Sequence, residues 1–550
     1  MEPVIDALRS AAGSAFEKTT GTVRALGALT RSGVVRPVRP DRLVGLAGGL
    51  LRYGLSVTGG YAVGAARHPA RTAIVDDAGA LSYAEVHRRT DRLARALADA
   101  GVGTGTAVGV LCRNHRGPIE VMVAVGKLGA DIVLLNTGLS AGQLAAVAAE
   151  LDLHTVAADA EFVESGVLAE LPEGCTVITS WGQAQDGATT LADLIARGGN
   201  SALPVRPAGG RTIVLTSGTT GTPKGARRPH PSSLAPAASI LSEIPLRAGE
   251  TVFIAAPLFH TWGNAGLLLA VLHGTTVVLR RRFTPTAMLA AVDEHRCDVV
   301  FAVPVMLQRA MDADGVDGWR GSHRPRVVAV SGSALPGGLA VAFMDRFGDL
   351  LYNLYGSTEV SWVSIAGPAD LRDAPGTAGR APAGTRLMIL DDDGRPVPPG
   401  TEGRVFVGND LPFDGYTSNG VEVEEHDGLL GTGDIGRLDD RGRLHLTGRA
   451  DDMIVSGGEN VHPGPVEDLI AQRDEVREVA VIGVPDEQFG QRLAAYVVLA
   501  AGASLDADTV RDLVRGKLAR FAVPRDVVFV DELPRNSTGK VVARELPRPE

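Results

Sequence analysis

The sequence is poor in residues that mark some common classes of protein. Its three cysteines, Cys112, Cys175 and Cys297, are far apart and form no CxxC pair. The sequence therefore predicts neither a disulfide framework nor a cysteine-based zinc site, and we expect buried thiols in a reducing compartment. Positive charge is also in deficit, with 54 Lys+Arg against 64 Asp+Glu and a net charge of −10. This balance disfavours nucleic acid as a partner, because phosphate backbones attract basic surfaces.

Lysine is scarce. Five occur, at Lys18, Lys127, Lys224, Lys517 and Lys540, so arginine supplies 54 − 5 = 49 of the positive charges. Where arginine dominates in this way, a lysine inside a loop motif indicates a position that needs a compact ammonium group.

Long apolar runs are lacking as well. The most apolar stretch, residues 43–66, is interrupted by Arg52, whereas a membrane-spanning helix needs roughly twenty apolar residues. We expect residues 1–66 to be a helical extension that packs on the main domain, with peripheral membrane contact as the alternative. No signal peptide with a cleavage site is evident. We expect a cytoplasmic protein, and association with the inner face of the membrane is left open, as is a homodimer.

The fold class predicted from residue patterning is α/β. A chain of 550 residues should contain at least two domains. Strand-like and helical segments alternate over residues 72–150 and 211–331, which predicts parallel sheets covered by helices on both faces. Residues 82–85 (Ser-Tyr-Ala-Glu) form a capping box for a helix ending near residue 100. From about residue 376, short strands and turns predict a small β-barrel-like subdomain, and a compact α+β tail follows residues 449–452.

A loop rich in glycine and hydroxyl groups follows the strand-like residues 211–215. It contains Thr216, Ser217, Gly218, Thr219, Thr220, Gly221 and Lys224. Glycines let the backbone approach a ligand closely, and hydroxyls, amides and an ammonium group can bind phosphate oxygens. The spacing does not match the Walker pattern. Taken alone, the loop indicates either a nucleotide site or a flexible surface loop.

Further motifs follow in a fixed order along the chain. They are Pro257-Leu258-Phe259-His260-Thr261-Trp262, Ser331-Gly332-Ser333-Ala334-Leu335-Pro336, Tyr355-Gly356-Ser357-Thr358-Glu359, Gly415-Tyr416, Thr432-Gly433-Asp434, Gly448-Arg449-Ala450-Asp451-Asp452, Ser456-Gly457-Gly458-Glu459-Asn460 and Pro534-Arg535-Asn536-Ser537-Thr538-Gly539-Lys540. With the loop at 216–225, this series closely resembles the adenylate-forming superfamily, and within it the AMP-forming fatty acyl-CoA synthetases. The resemblance covers residues 67–546.

The resemblance implies three segments. Residues 1–66 would be the extension, residues 67–449 an AMP-binding domain with two doubly wound αβα layers and the barrel-like subdomain, and residues 450–550 a small mobile α+β lid with its hinge at Asp451. In such enzymes a carboxylate attacks the α-phosphorus of ATP, pyrophosphate leaves, and a thiol then attacks the acyl-adenylate.

The resemblance also implies a set of ATP-binding residues. The loop from Thr216 to Lys224 would hold the β- and γ-phosphates. Tyr355 would stack on adenine, lined by Gly332, Ser333 and Ala334, and Gly356, Ser357 and Thr358 would lie along the nucleotide, with Thr358 at the α-phosphate. Glu359 would hold Mg²⁺, a cation that prefers oxygen ligands. Asp434 and Arg449 would contact the ribose.

Lys540 is the leading candidate for catalysis of the first step, with Thr216, Lys224 and Glu359 assisting. Its ammonium group can bridge the attacking carboxylate and the α-phosphate. In isolation Lys540 would be read as a solvated surface lysine, but the motif before it and the scarcity of lysine favour catalysis. Ser456, Gly457, Gly458 and Glu459 would face the tunnel that delivers coenzyme A.

The acid pocket is expected at His260, Trp262, Gly263 and Gly332. Small residues at 263, 265 and 266 would leave room for an apolar chain, although a tightly packed helix would look the same. Residues 259–266 contain no carboxylate that could pair with an ammonium group, which disfavours amino acids. We therefore expect activation of a medium- or long-chain fatty acid with ATP, Mg²⁺ and coenzyme A.

Several alternatives stay open. The acid could be aromatic or short-chain, or the acceptor could be the thiol of a carrier protein. A luciferase-like oxygenase shares the scaffold, and shared fold does not determine function. A non-catalytic lipid-binding protein is disfavoured because Lys224, Glu359, Asp434 and Lys540 are all present. A hydride-transfer enzyme is disfavoured because no GxGxxG follows the first strand. The chain departs from its relatives at Ala522, where a lysine is common, and in the length of its N-terminal extension.

Overall fold

The computed structural model describes residues 24–35, 40–184, 187–207, 209–215, 224–313, 316, 323–411, 413–417, 423–456, 459–486, 490–536 and 539–549. Within these ranges the chain forms two mainly parallel sheets covered by helices, an antiparallel sheet, and a small C-terminal α+β unit. The predicted fold class is confirmed. The boundaries proposed for the three segments stay predictions.

The first sheet forms the centre of the large domain. Its strands, in spatial order, are Ser364–Ala366, Leu351–Tyr355, Val327–Val330, Val299–Ala302, Thr251–Ile254, Thr276–Val278, Thr72–Asp76 and Gly79–Ser82. The pairing is parallel except at the two edges, where the outermost strands run antiparallel. The central strands are runs of Val, Ile, Phe and Ala that are buried on both faces, as expected for a parallel sheet between two helical layers.

The second sheet repeats this design. In spatial order its strands are Thr176–Trp181, Thr155–Asp159, Ala107–Leu111, Asp131–Leu134, Thr212–Leu215 and Gly225–Arg228. Only the pair between Thr212–Leu215 and Gly225–Arg228 is antiparallel among these described strands. The predicted phosphate loop connects those two strands, and residues 216–223 lie outside the described ranges.

Helices pack on both sheets and begin at recognisable capping signals. The predicted capping box is present, since Ser82 and Glu85 satisfy each other's backbone N–H groups at the start of the helix Tyr83–Asp99. Residues 24–32 are also helical. The further α-helices of the described ranges are Pro40–Tyr53, Val57–Arg67, Tyr83–Asp99, Arg116–Leu128, Ala141–Glu150, Ala160–Glu164, Leu191–Arg197, Ala235–Leu241, Thr261–Leu272, Pro285–Glu294, Pro304–Met311, Gly337–Phe347, Pro368–Asp373, Pro463–Ile470 and Ala507–Lys517.

Asn114 joins the two parallel sheets. It follows the strand Ala107–Leu111 of the second sheet, and its Nδ2 donates to the carbonyls of Ile254 (3.2 Å) and Ala256 (2.9 Å) at the end of a first-sheet strand. The backbone N–H of Leu258 donates back to Asn114 Oδ1 over 2.9 Å. These bonds fix the loop that leads to His260, because buried backbone groups are rarely left unpaired.

The antiparallel sheet corresponds to the predicted barrel-like subdomain. Its strands are Arg386–Leu390, Gly403–Gly408, Leu429–Leu438, Glu425–His426 and Leu444–Arg449. The strands Leu429–Leu438 and Leu444–Arg449 pair as a hairpin in which Asp434 lies opposite Arg449. This pairing brings two predicted nucleotide ligands together from positions 15 residues apart in the sequence.

The C-terminal unit has a sheet packed against two helices. Its strands are Glu459–Val461, Ile454–Ser456, Gly490–Leu499, Val476–Asp486 and Asp526–Phe529, and its α-helices are Pro463–Ile470 and Ala507–Lys517. Short 3-10 turns lie at Arg520–Ala522 and Ala543–Glu545. It has its own buried cluster around Ile470, Ala495 and Val514, so it can pack as a unit of its own.

The helix Val57–Arg67 packs tightly on the large domain. A Cβ at Gly60 would lie 2.4 Å from Val271, and one at Gly64 would lie 2.3 Å from the Tyr83 ring. Glycine is therefore needed at both positions for this close approach. The expectation that part of the extension packs on the main domain agrees with these contacts. In the part of the chain that the structure describes, no helix is both long and apolar enough to span a bilayer.

Candidate functional site

One cavity of about 2480 Å³ lies between the first sheet, the antiparallel sheet and the C-terminal unit. Adjacent parallel strands of the first sheet end at it, so that the chain after Thr251–Ile254, Val299–Ala302, Val327–Val330 and Leu351–Tyr355 supplies part of its wall. Crevices outside the carboxyl ends of parallel strands are the usual ligand sites of α/β sheets. Most of the predicted site residues that the structure describes line this cavity.

The predicted adenosine side is built by Tyr355, Asp434 and Arg449. The Tyr355 hydroxyl donates to Asp434 Oδ2, and Arg449 Nη1 lies 4.0 Å from Asp434 Oδ1. Burial raises the pKa of Asp434, while Tyr355 and Arg449 oppose that shift. Gly332, Ser333 and Ala334 line the same cavity, and Gly332 has φ of +99°, a conformation that glycine adopts without strain.

The segment Ser357–Trp362 carries the predicted α-phosphate and magnesium ligands in a tight turn. Ser361 has φ of +67°, and a Cβ at Gly356 would lie 2.2 Å from the Ser361 carbonyl oxygen. The Tyr416 hydroxyl donates to Glu359 Oε1 over 2.8 Å. Thr358 Oγ1 lies 3.2 Å from Thr261 Oγ1. Thr358 and Glu359 both line the cavity. The turn therefore presents a hydroxyl and a carboxylate oxygen to it together.

The phosphate loop can be placed only at its end. Residues 216–221 lie outside the described residues, so their roles stay predictions. Lys224 is described, lines the cavity, and its Nζ lies 5.8 Å from the centre of the Tyr416 ring. A lysine over an aromatic face is attracted by the ring quadrupole. The segment 414–417 pairs with the strand Gly225–Arg228, since Arg227 N donates to the Gly415 carbonyl over 3.0 Å.

Arg228 is a site residue that we did not predict. It lies at the end of the edge strand Gly225–Arg228 and lines the cavity. Its Nη1 donates to the Thr358 carbonyl over 2.8 Å, and its Nη2 bonds Ser361 Oγ. Burial lowers the pKa of Arg228 to about 10, and the nearby Glu359 carboxylate opposes the shift. Arg228 therefore ties both ends of the turn that carries Glu359.

We expect Arg228→Met to slow acyl-adenylate formation by about ten- to a hundredfold, because the turn loses two hydrogen bonds and Glu359 loses a nearby cation. The apparent KM for Mg²⁺ should rise, and Arg228→Lys should restore part of the rate. Both are measured by ATP–pyrophosphate exchange. Ser361→Gly is the matched variant: it removes the hydroxyl acceptor but suits the positive φ, so only a small loss is expected. Equal losses in both variants, with an unchanged Mg²⁺ dependence, would contradict this role.

Lys540 reaches the cavity from a short loop of the C-terminal unit. Arg535 holds this loop, donating from Nη1 to the Gly539 carbonyl (2.7 Å) and from Nη2 to Glu478 Oε2 (2.7 Å). A Cβ at Gly539 would lie 2.8 Å from Val305 of the large domain. Loss of bulk water in the cleft and the charge of Arg449 lower the pKa of Lys540, whereas Glu359, Asp434 and Asp452 raise it. Lys540 is thus close enough to Glu359 and Asp434, the predicted magnesium and ribose ligands, to interact with them electrostatically.

Three of the four residues predicted for the acid pocket, His260, Trp262 and Gly332, line the cavity. His260 lines the cavity next to Gly332, and burial together with Lys540 lowers the pKa of His260 to about 4, so its imidazole is uncharged at neutral pH. Trp262 is 3% exposed and its Nε1 donates to the Ala302 carbonyl over 2.9 Å. Most of the Trp262 ring is thus buried in the core, although the residue also lines the cavity.

The prediction that Gly263 is part of the acid pocket is wrong. Gly263 does not line the cavity, and a Cβ there would lie 2.1 Å from the Pro257 carbonyl oxygen. A Cβ at Gly266 would lie 3.0 Å from the Phe301 ring. These glycines let the helix Thr261–Leu272 approach the core, the tight packing that we had weighed as the other explanation. The neighbours Asn264 and Ala265 line the cavity instead.

Of the predicted hinge and coenzyme A residues that the structure describes, Asp451 lines the cavity and Ser456 does not. Asp451 is on the connection between the antiparallel sheet and the C-terminal unit, its side chain is 86% exposed, and it lies 3.8 Å from Arg449 Nη2. Ser456 pairs with Glu459 between two short strands and does not line the cavity. Gly457 and Gly458 lie outside the described residues. The tunnel and hinge roles stay predictions.

Glu467 is a cavity-lining carboxyl group on the helix Pro463–Ile470 of the C-terminal unit. Its Oε1 accepts from the Val481 N–H over 2.7 Å. Burial raises the pKa of Glu467 to about 7, and Asp468 and Asp452 add to the shift. The folded state therefore favours the protonated form, and that contribution to stability is complete below the unfolded pKa and is lost as the pH rises through about 7.

We expect Glu467→Gln to raise the free energy of unfolding at pH 8 by about 1–3 kcal/mol and to change it little at pH 4.5. Glutamine keeps the acceptor for Val481 and cannot ionise. Thermal unfolding of the full chain at the two pH values measures the difference. The control is Glu475→Gln, since Glu475 pairs with Arg473 and its pKa is lowered. A gain that is equal at both pH values would contradict the assignment.

Comparison with known proteins agrees with this geometry. Residues 62–417 match the family described as AMP-binding enzyme, and residues 465–540 match the AMP-binding enzyme C-terminal domain. The chain is 34% identical over 491 residues to a feruloyl-CoA synthase of Amycolatopsis sp, covering 87% of this chain and 96% of that one. It is 32% identical over 484 residues to an indoleacetate–CoA ligase of Aromatoleum aromaticum, covering 86% and 94%.

Solved structures show the same architecture. The crystal structure of the anthranilate CoA ligase AuaEII with anthranoyl-AMP has a TM-score of 0.80 at 25% identity, with 90% of this chain and 96% of that chain covered. The amide bond synthetase McbA from Marinactinospora thermotolerans has a TM-score of 0.77 at 27% identity, with 90% and 98% covered.

The fold and the cavity define an adenylate-forming enzyme. The chain belongs to the family of AMP-binding enzymes, in agreement with the resemblance of its motifs. The prediction of an enzyme of the AMP-forming acid–thiol ligase type is confirmed, with ATP and coenzyme A as its co-substrates. The acid, the divalent cation and the roles of single residues remain to be argued from the cavity.

Proposed function

We propose that this enzyme activates a ring-bearing, mainly apolar carboxylic acid with ATP and transfers the acyl group to the thiol of coenzyme A. A carboxylate oxygen would attack the α-phosphorus and release pyrophosphate. The thiolate would then attack the acyl carbon, and AMP would leave. The observation that carries the proposal is the cavity wall on the acid side, which is wide, mainly apolar and without a carboxylate on its long helix.

The helices Ala235–Leu241 and Thr261–Leu272 supply this wall. Their lining residues include Ala237, Ile240, Ala265, Leu268 and Leu269. The helix Thr261–Leu272 contains no acidic or basic residue, so an ammonium group on the substrate would find no partner there, which disfavours amino acids.

Two polar groups interrupt the apolar wall. Asn264 and His230 line the cavity. Burial lowers the pKa of His230, whereas Asp131 and a hydrogen bond involving the Gly210 backbone oppose the shift. An uncharged imidazole and an amide can accept or donate one hydrogen bond to a ring substituent without requiring a charge on it. The names of the relatives point the same way, since feruloyl, indoleacetate and 2-succinylbenzoate all contain rings.

The residues of the site fit the chemistry of adenylation. Glu359 and Thr358 offer carboxylate and hydroxyl oxygens, the donor types that Mg²⁺ prefers. We propose Glu359 as the protein ligand of this ion, which when bound would offset the negative charge of the phosphates. Lys224 would add positive charge at the end of the phosphate loop, and Asp434 would accept hydrogen bonds from the ribose hydroxyls.

A fatty acid is the second candidate, and one observation favours it. The cavity continues beyond Leu268 to Leu272 on one side. On the other side it continues to Gly60 and Val63 of the helix Val57–Arg67 and to Leu55 just before that helix. An apolar extension of this kind can take a flexible chain that a single ring would not fill.

The test is a panel of acids assayed for AMP and thioester in parallel: benzoate, cinnamate and indoleacetate with and without ring hydroxyls, and straight-chain acids from acetate to oleate. We expect the highest kcat/KM with a ring-bearing acid. A maximum at C10–C18 acids would favour the fatty acid instead. AMP formation without thioester would indicate another acceptor, such as a carrier-protein thiol or an amine. No AMP with any acid would favour the non-catalytic alternative.

A further inference from the structure

The helix Pro40–Tyr53 has two apolar faces, and one of them is packed. Its glycines face the neighbouring helix Val57–Arg67, since a Cβ at Gly45 would lie 2.9 Å from Ala66 and one at Gly49 would lie 3.2 Å from Val63. This side of the helix therefore belongs to the protein interior.

The opposite face is apolar and open. Val44 is 81% exposed and Leu51 73%, and Leu43 and Leu50 lie on the same face at helical spacing. Val205, 83% exposed, extends this surface, because Arg52 donates to the carbonyl of the adjacent Pro204 over 3.1 Å. Half of the exposed large hydrophobic residues in the described part of the chain thus belong to one surface, which we call the outer apolar face: Leu43, Val44, Leu50, Leu51 and Val205.

The same region is strongly basic within an acidic protein. Residues 24–53 contain six arginines and one acidic residue, Asp41, a net charge of 6 − 1 = +5, whereas the whole chain carries −10. Arg42 donates to the Arg67 carbonyl and Arg52 to the Pro204 carbonyl. A carbonyl has no net charge, so these bonds fix the side chains in place without neutralising them. Arg24, by contrast, forms an ion pair with Glu243 over 2.6 Å, so that the region keeps a net charge of 5 − 1 = +4 once this partner is counted. Apolar surface next to such an excess of arginine is what an anionic lipid surface attracts.

The outer apolar face also adjoins the cavity of the acid site. Leu50 and Gly54, at the end of the helix, line that cavity. The helix itself has 14 residues and is therefore about 21 Å long. A helix of this length is too short to cross a bilayer of about 30 Å and suits a position along its surface.

We propose that the outer apolar face docks onto an anionic lipid bilayer, with the helix Pro40–Tyr53 lying in the interface and its cavity-lining end turned toward the entrance of the acid site. A lipid surface is favoured over a protein partner because the face is a convex single helix rather than a groove, and because the net charge of the region is positive. The proposal does not depend on which acid the enzyme activates.

The test is flotation of the full-length protein with neutral phosphatidylcholine vesicles and with vesicles containing phosphatidylglycerol. We expect binding to the anionic vesicles that falls as salt is added, because the charge attraction is screened. The double variant Val44→Glu/Leu51→Glu should lower the apparent affinity at least tenfold. Both side chains are exposed and neither lines the cavity, so ATP–pyrophosphate exchange with a water-soluble acid should be unchanged.

The matched control is Phe521→Glu/Phe529→Glu. These residues are 43% and 38% exposed on the C-terminal unit, and the charge change is the same. We expect this control to bind vesicles like the unchanged protein. No binding of the unchanged protein to anionic vesicles, or equal loss in both double variants, would overturn the proposal. A dimer that Val44→Glu/Leu51→Glu dissociates, without any vesicle binding, would assign the face to a second copy of the chain.

Discussion

Replacement of Lys540 by alanine is expected to lower the rate of acyl-adenylate formation by at least about a hundredfold. Thioester formation from supplied acyl-adenylate should stay within a few-fold of the unchanged enzyme. We expect the two steps to respond differently because the ammonium group of Lys540 lies in the same cavity as Glu359 and Asp434. In the first step two anions, a carboxylate and a triphosphate, must approach each other, and a cation between them offsets the repulsion.

The structure supports this role through the way in which the lysine is held. The backbone N–H of Lys540 donates to Asn536 Oδ1 over 3.0 Å, and the Asn536 N–H donates to the Lys540 carbonyl over 2.9 Å. Arg535 and Glu478 brace the same loop from behind. The loop therefore fixes the main chain of Lys540 at the cavity wall, so that only its side chain has to be ordered when the substrates bind.

Lys517→Ala is the control for this experiment. Lys517 is an exposed lysine at the end of the helix Ala507–Lys517 in the same C-terminal unit. Its replacement removes the same charge from the unit but not from the cavity, so both half-reactions should be unchanged. ATP–pyrophosphate exchange measures the first step, and release of AMP from synthetic acyl-adenylate with coenzyme A measures the second. Equal loss of both steps in Lys540→Ala would show that the lysine serves folding or general binding instead.

Much of the fold could be predicted because local patterns and packing agree. The Ser82–Glu85 capping box, the alternating strands and helices, and the short antiparallel strands after residue 376 each occur where the sequence places them. The motif residues Gly332, Tyr355, Glu359, Asp434 and Lys540 come from four separate motifs, yet they all line one cavity. Strand ends of a parallel sheet meet at one edge, so motifs that follow strands are brought together by topology.

Other features depend on contacts that no local pattern records. Arg228 would be read as an exposed residue on an edge strand, and its role arises only because Ser361 turns back toward it. Gly263 looked like room for a substrate, but the Pro257 backbone fills that space. The pKa of Glu467 is raised mainly by its burial, which the local sequence pattern does not record. The acid side of the cavity combines helices separated by about twenty residues with N-terminal helices much further away, so the identity of the acid could not be read from one stretch.

Asp451→Pro is expected to have the opposite effect to Lys540→Ala. Adenylation should stay within a few-fold, whereas thioester formation should fall by at least about a hundredfold. In this structure the loop with Gly539 and Lys540 is inserted against Val305, and Ser456 is outside the cavity. We therefore expect the C-terminal unit to move relative to the large domain before the second step.

Asp451 is well placed for such a movement. Its side chain is 86% exposed, and its carboxylate makes a long ion pair of 3.8 Å with Arg449 Nη2. A change in its backbone dihedral angles would therefore break few contacts. Proline fixes φ near −65° and restricts the preceding residue as well, so the connection would be held close to one arrangement.

The control is Asp451→Ala, which removes the carboxylate and its contact with Arg449 but leaves the backbone free to rotate. We expect both half-reactions of this variant to stay within a few-fold of the unchanged enzyme. If Asp451→Pro leaves thioester formation intact, the hinge lies elsewhere in the connection 450–453 or the second step needs no rotation. If Asp451→Pro and Asp451→Ala lose the second step equally, the carboxylate itself is required, because the two variants share its loss and differ only in the backbone.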